Sequence, residues 1–247
     1  MKKKSIIICI VIFLLIILGY FGYKGFILYN YTKNTEAYNE VIGGLKTKNT
    51  ITLRNIDLED NKYLKFNDIK IKNEFTDFKK LDSEISESFV KYALYNPDNS
   101  VKASFWMGIE QTYIENLKSE SSLFADVTLI PINTNLTEFL GKNNINNDIE
   151  LFEYLKKQEN VKYNIFTSTK KIKENYAIQV LSSIMLPAGE NVTLINGDYI
   201  GFIFNMGNYF REVSILKNNK RYIFTFVSAD YFTDEYIGEI LNTIVIE

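Results

Sequence analysis

From Ile6 to Tyr23 the chain carries no charge and is almost wholly apolar, a run of about 18 residues. Lys2, Lys3 and Lys4 precede it and Lys24 follows it. A helix needs about 20 apolar residues to cross the hydrocarbon core of a bilayer. Lysines before the run and a long polar chain after it predict a cytoplasmic N-terminus. The apolar core of a cleaved secretory signal is shorter, about 7–15 residues, and ends at a small-x-small site. Gly19-Tyr20-Phe21-Gly22-Tyr23 offers no such site. Residues 1–24 therefore read as an uncleaved signal-anchor, with a cleaved signal peptide as the alternative. Tyr20, Tyr23, Tyr29 and Tyr31 fall where an outer aromatic belt would lie, and Lys24 is placed to snorkel to the same interface.

Beyond the anchor, residues 25–48 read as a short stalk and 49–247 as one ectodomain. Thr50-Ile51-Thr52-Leu53 and the loosely alternating stretch Tyr63–Ile71 predict strands. Phe75, Phe78, Leu81 and Ile85 recur at spacings of three and four, which predicts an amphipathic helix. Two alternating runs, Phe89–Tyr95 and Val101–Ile109, flank the turn signal Asn96-Pro97-Asp98-Asn99-Ser100 and predict a hairpin. In its second strand Val101, Ala103, Phe105, Met107 and Ile109 share the expected core face.

Next comes an asparagine-rich loop, 141–147, and then a helix from Asp148 to Gln158 capped by Asn147, with Leu151, Phe152 and Leu155 inward. Tyr163–Phe166 reads as a short strand. Ile172, Tyr176, Val180 and Ile184 form a helical stripe ended by Pro187. Four consecutive strands follow at Val192–Ile195, Tyr199–Asn205, Phe210–Leu216 and Tyr222–Val227. Asn-rich turns separate them, and these tolerate the positive φ that tight hairpins require. Thr233 caps a last helix, with Ile237, Ile240, Leu241 and Ile244 inward, and Thr243–Ile246 closes the chain as a β segment. The expected class is α+β: an N-terminal transmembrane helix, then an ectodomain whose antiparallel sheet is packed by helices.

Composition narrows the chemistry. Histidine is absent and the one cysteine, Cys9, lies inside the apolar run. Ser-His-Asp and Cys-His nucleophilic sites, His- or Cys-ligated zinc, and ectodomain disulfides are therefore excluded. No cofactor is expected. Of the 28 bases, 24 lie beyond residue 24, against all 30 acids, so the outer part is acidic with a net charge near −6. An acidic body is a poor match for nucleic acid.

Near the C-terminus, a hairpin enters Tyr222-Ile223-Phe224-Thr225-Phe226, followed by Ser228-Ala229-Asp230, a short helix and the ending Glu239-Ile240-Leu241-Asn242-Thr243-Ile244. This arrangement resembles the PsbP-like superfamily, which includes extrinsic photosystem subunits, a nuclear Ran-binding relative and many membrane-anchored bacterial members. The resemblance covers about a third of the chain and implies an antiparallel sheet sandwiched by helices. It carries no shared catalytic residues and favours binding over catalysis. The stretch from Phe124 to Lys162 has no counterpart in it.

Four groups of residues stand out as site candidates. Asp57, Glu59, Asp60 and Asn61 form the densest acidic cluster, but no glycine follows where an EF-hand loop turns, and the twelfth position is Asp68 rather than Glu. Asp82, Glu84 and Glu87 read as a solvated helix face. No metal site is expected from either. Lys170, Lys171 and Lys173 sit at the start of the Ile172 helix, where positive charge opposes the dipole, so they are a possible anion-binding cluster. Trp106 lies on the strand face opposite Phe105 and Met107, and reads either as covered by a helix or as an exposed interaction surface.

The combined expectation is a single-pass cell-membrane protein with an extracellular domain that binds a protein partner near the outer membrane surface. No catalytic residues are assigned. The alternatives are a small-ligand or anion-sensing domain and a carboxylate-based glycan-cleaving enzyme.

Overall fold

The structure is a computed structural model, and it describes residues 2–44, 49–56, 58–81, 87–119, 126–129, 132–158, 163–186, 192–206, 209–228 and 230–247. The chain divides into two units. One comprises residues 1–45, 117–146 and 154–188; the other comprises 46–116, 147–153 and 189–247.

The first unit is built around α1 (Lys2–Gly44) and α5 (Thr169–Met185). It also holds the hairpin β7 (Asp126–Leu129) and β8 (Ile132–Asn135), the short α3 (Leu136–Lys142), and the end of α4 (Asp148–Lys156). The residues Ile6–Lys33 of α1 form a helix long and apolar enough to cross a membrane, with its most apolar stretch unburied. A signal sequence at an N-terminus meets the same criteria. The helix does not stop where the apolar run stops. Lys24, Ile27 and Tyr31 lie on one stripe at spacings of three and four, and all three are buried against α5 and the turn before it. Lys24 therefore does not snorkel, and Tyr31 does not join an aromatic belt.

α5 begins where sequence logic places it. Ser168 is extended and its hydroxyl accepts the N–H of Lys171, which closes the cap. Its buried stripe includes Ile172, Tyr176, Val180 and Leu181. The expected strand at Tyr163–Phe166 is instead a turn. Asn164 Oδ1 accepts the Phe166 N–H and Asn164 O accepts the Thr167 N–H, so the local side chain competes successfully with extended pairing. α3 was not expected: it occupies the start of the asparagine-rich stretch. Asn135 caps it by accepting the Glu138 N–H, and Leu136, Phe139 and Leu140 are its buried face.

The second unit is a sheet with layers on both faces. Eight strands run in the order β1-β9-β10-β11-β12-β6-β5-β4. They are β1 (Thr50–Leu53), β4 (Lys79–Lys80), β5 (Phe89–Tyr95), β6 (Val101–Glu110), β9 (Val192–Gly197), β10 (Ile200–Met206), β11 (Phe210–Lys217) and β12 (Lys220–Val227). All neighbours are antiparallel except β1 and β9, which are parallel. The β11–β12 turn puts both Asn218 and Asn219 at positive φ, as a two-residue hairpin needs.

One sheet face carries the main core. Phe105, Met107, Tyr222, Phe224, Phe226, Val213 and Ile215 lie beneath α6 (Asp234–Leu241) and a small sheet of β13 (Val245–Ile246), β3 (Ile69–Lys72) and β2 (Tyr63–Phe66). The expected single strand over Tyr63–Ile71 is thus a hairpin, broken at Asn67 with φ 52°. The helix expected from Phe75 is not formed over the described part, 75–81; residues 82–86 lie outside the described residues. Phe75 instead stacks flat on Phe105 with ring centroids 4.1 Å apart, and Phe78 lies edge-on to it. Spacing by three served an aromatic cluster, not a helix. The opposite face carries the candidate site.

Candidate binding groove

Strand alternation puts Ser104, Trp106, Gly108 and Glu110 of β6 on the face away from the main core. The register sets Lys91 and Thr225 beside Trp106, Phe89 and Ile223 beside Gly108, and Arg221 beside Glu110. A groove of about 340 Å³ opens here, lined by Ser88, Phe89, Lys91, Trp106, Glu110 and Ile223 among others. Gly108 forms part of its floor. A Cβ at that position would come within 2.8 Å of Ser88 O, so only glycine lets β6 run this close to the start of β5.

Trp106 is half-buried, so its indole keeps part of its surface open. Its ring lies beneath the Lys91 ammonium at 5.4 Å from the centroid and beside Phe210 at 6.1 Å. Phe89 is 40% exposed at the same groove. Two aromatic side chains and Ile223 therefore present apolar surface, with Lys91 and Glu110 supplying one charge of each sign. The volume lies at the low end of the range for ligand pockets. Tyr209 is 74% exposed, whereas Tyr113 and Tyr222 are buried.

A polar network fixes one end of the groove. Glu110 pairs with Arg221, whose guanidinium lies 4.2 Å from the centroid of the Tyr113 ring and donates to its hydroxyl. Tyr113 opens α2 (Tyr113–Lys118). The start of that helix is closed twice over. Thr112 Oγ1 accepts the Glu115 N–H, and the buried Asp148 carboxylate accepts the N–H groups of Tyr113 and Ile114 at 2.8 and 3.0 Å. Both oxygens of Asp148 thus serve as a cap. Burial pushes its carboxyl above the usual range even though these two bonds pull it down. Glu212, on β11, is likewise pushed up by burial against the pull of Arg221. Asp148 itself begins α4, where Asn147 Oδ1 accepts the Glu150 N–H.

The three lysines of α5 do not converge on one point. Lys170 and Lys173 line a polar groove of about 510 Å³ with Lys142, Glu138 and Glu174. Lys171 lines a different depression with Tyr154, Tyr163 and Glu174. Lys170 also lies 3.8 Å from Glu174. The acidic candidates are dispersed or paired where they are described. Glu59 lies 3.4 Å from Lys62, and Asp68 accepts from Lys220 and the Tyr222 hydroxyl at 2.8 Å each. Asp57, Asp82 and Glu84, and the side chain of Asp60, lie outside the described residues. Among the described residues no group of three acids, cysteines or histidines is gathered as a metal site would require.

The network around Arg221 was missed in the sequence because its members are far apart along the chain. The one local signal was Thr112-x-x-Glu115, a capping box that marks the start of α2.

No protein-family model matches this chain, and no curated protein sequence matches it.

Proposed function

We propose that this is a single-pass, membrane-anchored binding module whose outer domain holds a protein partner through the Trp106 groove and performs no chemistry of its own. The observation that carries this reading is the groove itself: a half-exposed indole and an exposed phenyl ring sit on a rigid sheet, with Lys91 and Glu110 flanking them. Aromatic anchors on a preorganised surface are the usual energetic centre of a protein interface. The apolar helix Ile6–Lys33 supports membrane attachment, with the N-terminus inside and the domain outside. The resemblance to the PsbP-like superfamily points the same way, towards binding. A small-ligand or anion-sensing role draws less support, because the lysine-lined groove also carries Glu138 and Glu174.

Affinity capture from detergent-solubilised membranes tests the reading. The wild-type chain is expected to retain a defined partner that Trp106→Ala loses, while Lys157→Ala, at an exposed residue that does not line the groove, retains it. Equal recovery with Trp106→Ala would contradict it.

A further inference from the structure

The turn before α5 carries an apolar side chain with no role in the core. Phe166 is 81% exposed. Its ring nevertheless meets Phe21 of α1 edge-on, with centroids 6.1 Å apart. Phe21 lies two residues before the end of the apolar run, about 3 Å along the helix axis. The run Ile6–Tyr23 is about 27 Å long at 1.5 Å per residue, close to the hydrocarbon thickness of a bilayer. If α1 spans a bilayer, Phe166 is held at the boundary of its outer leaflet.

Two further contacts fix this height. Lys24 Nζ donates to Thr167 O at 2.8 Å and to Thr169 Oγ1 at 3.1 Å, and seven residues further along α1 and six further along α5 Asn175 donates to the Tyr31 hydroxyl. The paired contacts advance together, so α1 and α5 run parallel here; Phe166 meets Phe21 at the end of the apolar run, while Tyr163, at the start of the turn, packs on Tyr31 further along α1. Tyr20, Tyr23, Phe26 and Tyr29 are all more than half exposed on α1, spread over about 14 Å of axis around this level. Lys170 and Lys171 are exposed in the first turn of α5, one residue-turn beyond Phe166.

We infer that the Asn164–Ser168 turn is a second membrane contact: Phe166 inserts at the outer interface of the bilayer that α1 spans, and Lys170 and Lys171 face its lipid phosphates. An aromatic ring at the interface flanked by lysines is the arrangement favoured by amphipathic surfaces on anionic membranes. The inference rests on the anchored reading above and adds to it a fixed seating of the first unit on the membrane.

The test uses the single tryptophan. In a Trp106→Phe background, the full chain carrying Phe166→Trp is reconstituted into vesicles of phosphatidylcholine and phosphatidylglycerol brominated near the glycerol end of the acyl chain. The emission is expected to be blue-shifted and quenched by the bromines, and the quenching to weaken when Lys170→Glu and Lys171→Glu are added. A parallel chain with Phe13→Trp reports the anchor alone. Quenching at position 13 with water-like, unquenched emission at position 166 overturns the second contact and leaves the anchor intact. Absence of quenching at both positions overturns the anchor as well. Quenching at 166 that ignores the two lysine changes overturns their part. If the Trp106→Phe background does not fold, Phe166→Cys in a Cys9→Ser background, labelled with an environment-sensitive dye, gives the same readout.

Discussion

Two ionisable groups, Lys24 and Glu212, show what a single side chain does in this protein. Lys24 is 5% exposed and its ammonium is satisfied by a carbonyl and a hydroxyl, not by a carboxylate. Removing the donor leaves Thr167 O short of its partner in a desolvated place, a loss of about 1–3 kcal/mol. Lys24→Met is therefore expected to destabilise the junction of α1 and α5, read as faster amide exchange in the first turn of α5. Unchanged exchange there would show that water replaces the lysine at no cost. Glu212 makes the opposite case. Burial raises its carboxyl above the ordinary range, so its folded form prefers the proton. A raised pKa stabilises the fold at pH below the unfolded value, and that contribution is lost as pH climbs through the folded one. Glu212→Gln is expected to raise the unfolding midpoint at neutral pH and to flatten the decline in stability from the acidic carboxylate range upward. A variant with an unchanged pH profile would place the charge in water.

At the scale of elements, the hairpins were legible because turn chemistry is local. Asn218 and Asn219 sit at φ 52° and 55°, and asparagine accepts that region where branched residues do not. Asn218→Val is expected to cost the sheet unit about 1–2 kcal/mol, seen as a lower denaturant midpoint with an unchanged slope. The caps at Asn147 and Thr233 were legible for the same reason: each side chain bonds a backbone N–H three residues on. Long-range pairing was not. Nothing near Thr50–Leu53 specifies a parallel partner at β9, 144 residues away in register from Thr50 to Leu194. Phe75 and Phe78 mimicked helical spacing while serving the aromatic core. Trp106 was identifiable from strand alternation alone, but Phe89, Ile223 and Glu110 become its neighbours only through the pairing of β5, β6 and β12.

For the whole molecule, the proposed function joins a membrane tether to a binding surface. α1 continues through Lys24, Ile27 and Tyr31 into the first unit without a break in helix, so that unit is continuous with the apolar run. The second unit supplies the sheet on which the Trp106 groove is built. In this account the anchor restricts where the groove meets its partner, and the groove determines which partner is held. The most direct test is site-specific photo-crosslinking in intact cells, with the photoreactive residue at position 106 of the full chain. The account predicts one discrete adduct from position 106, lost when Phe89→Ala and Lys91→Ala are combined, and none from the exposed position 157. Adducts of equal yield from 106 and 157, or none from 106, would contradict the claim that this groove is the binding surface.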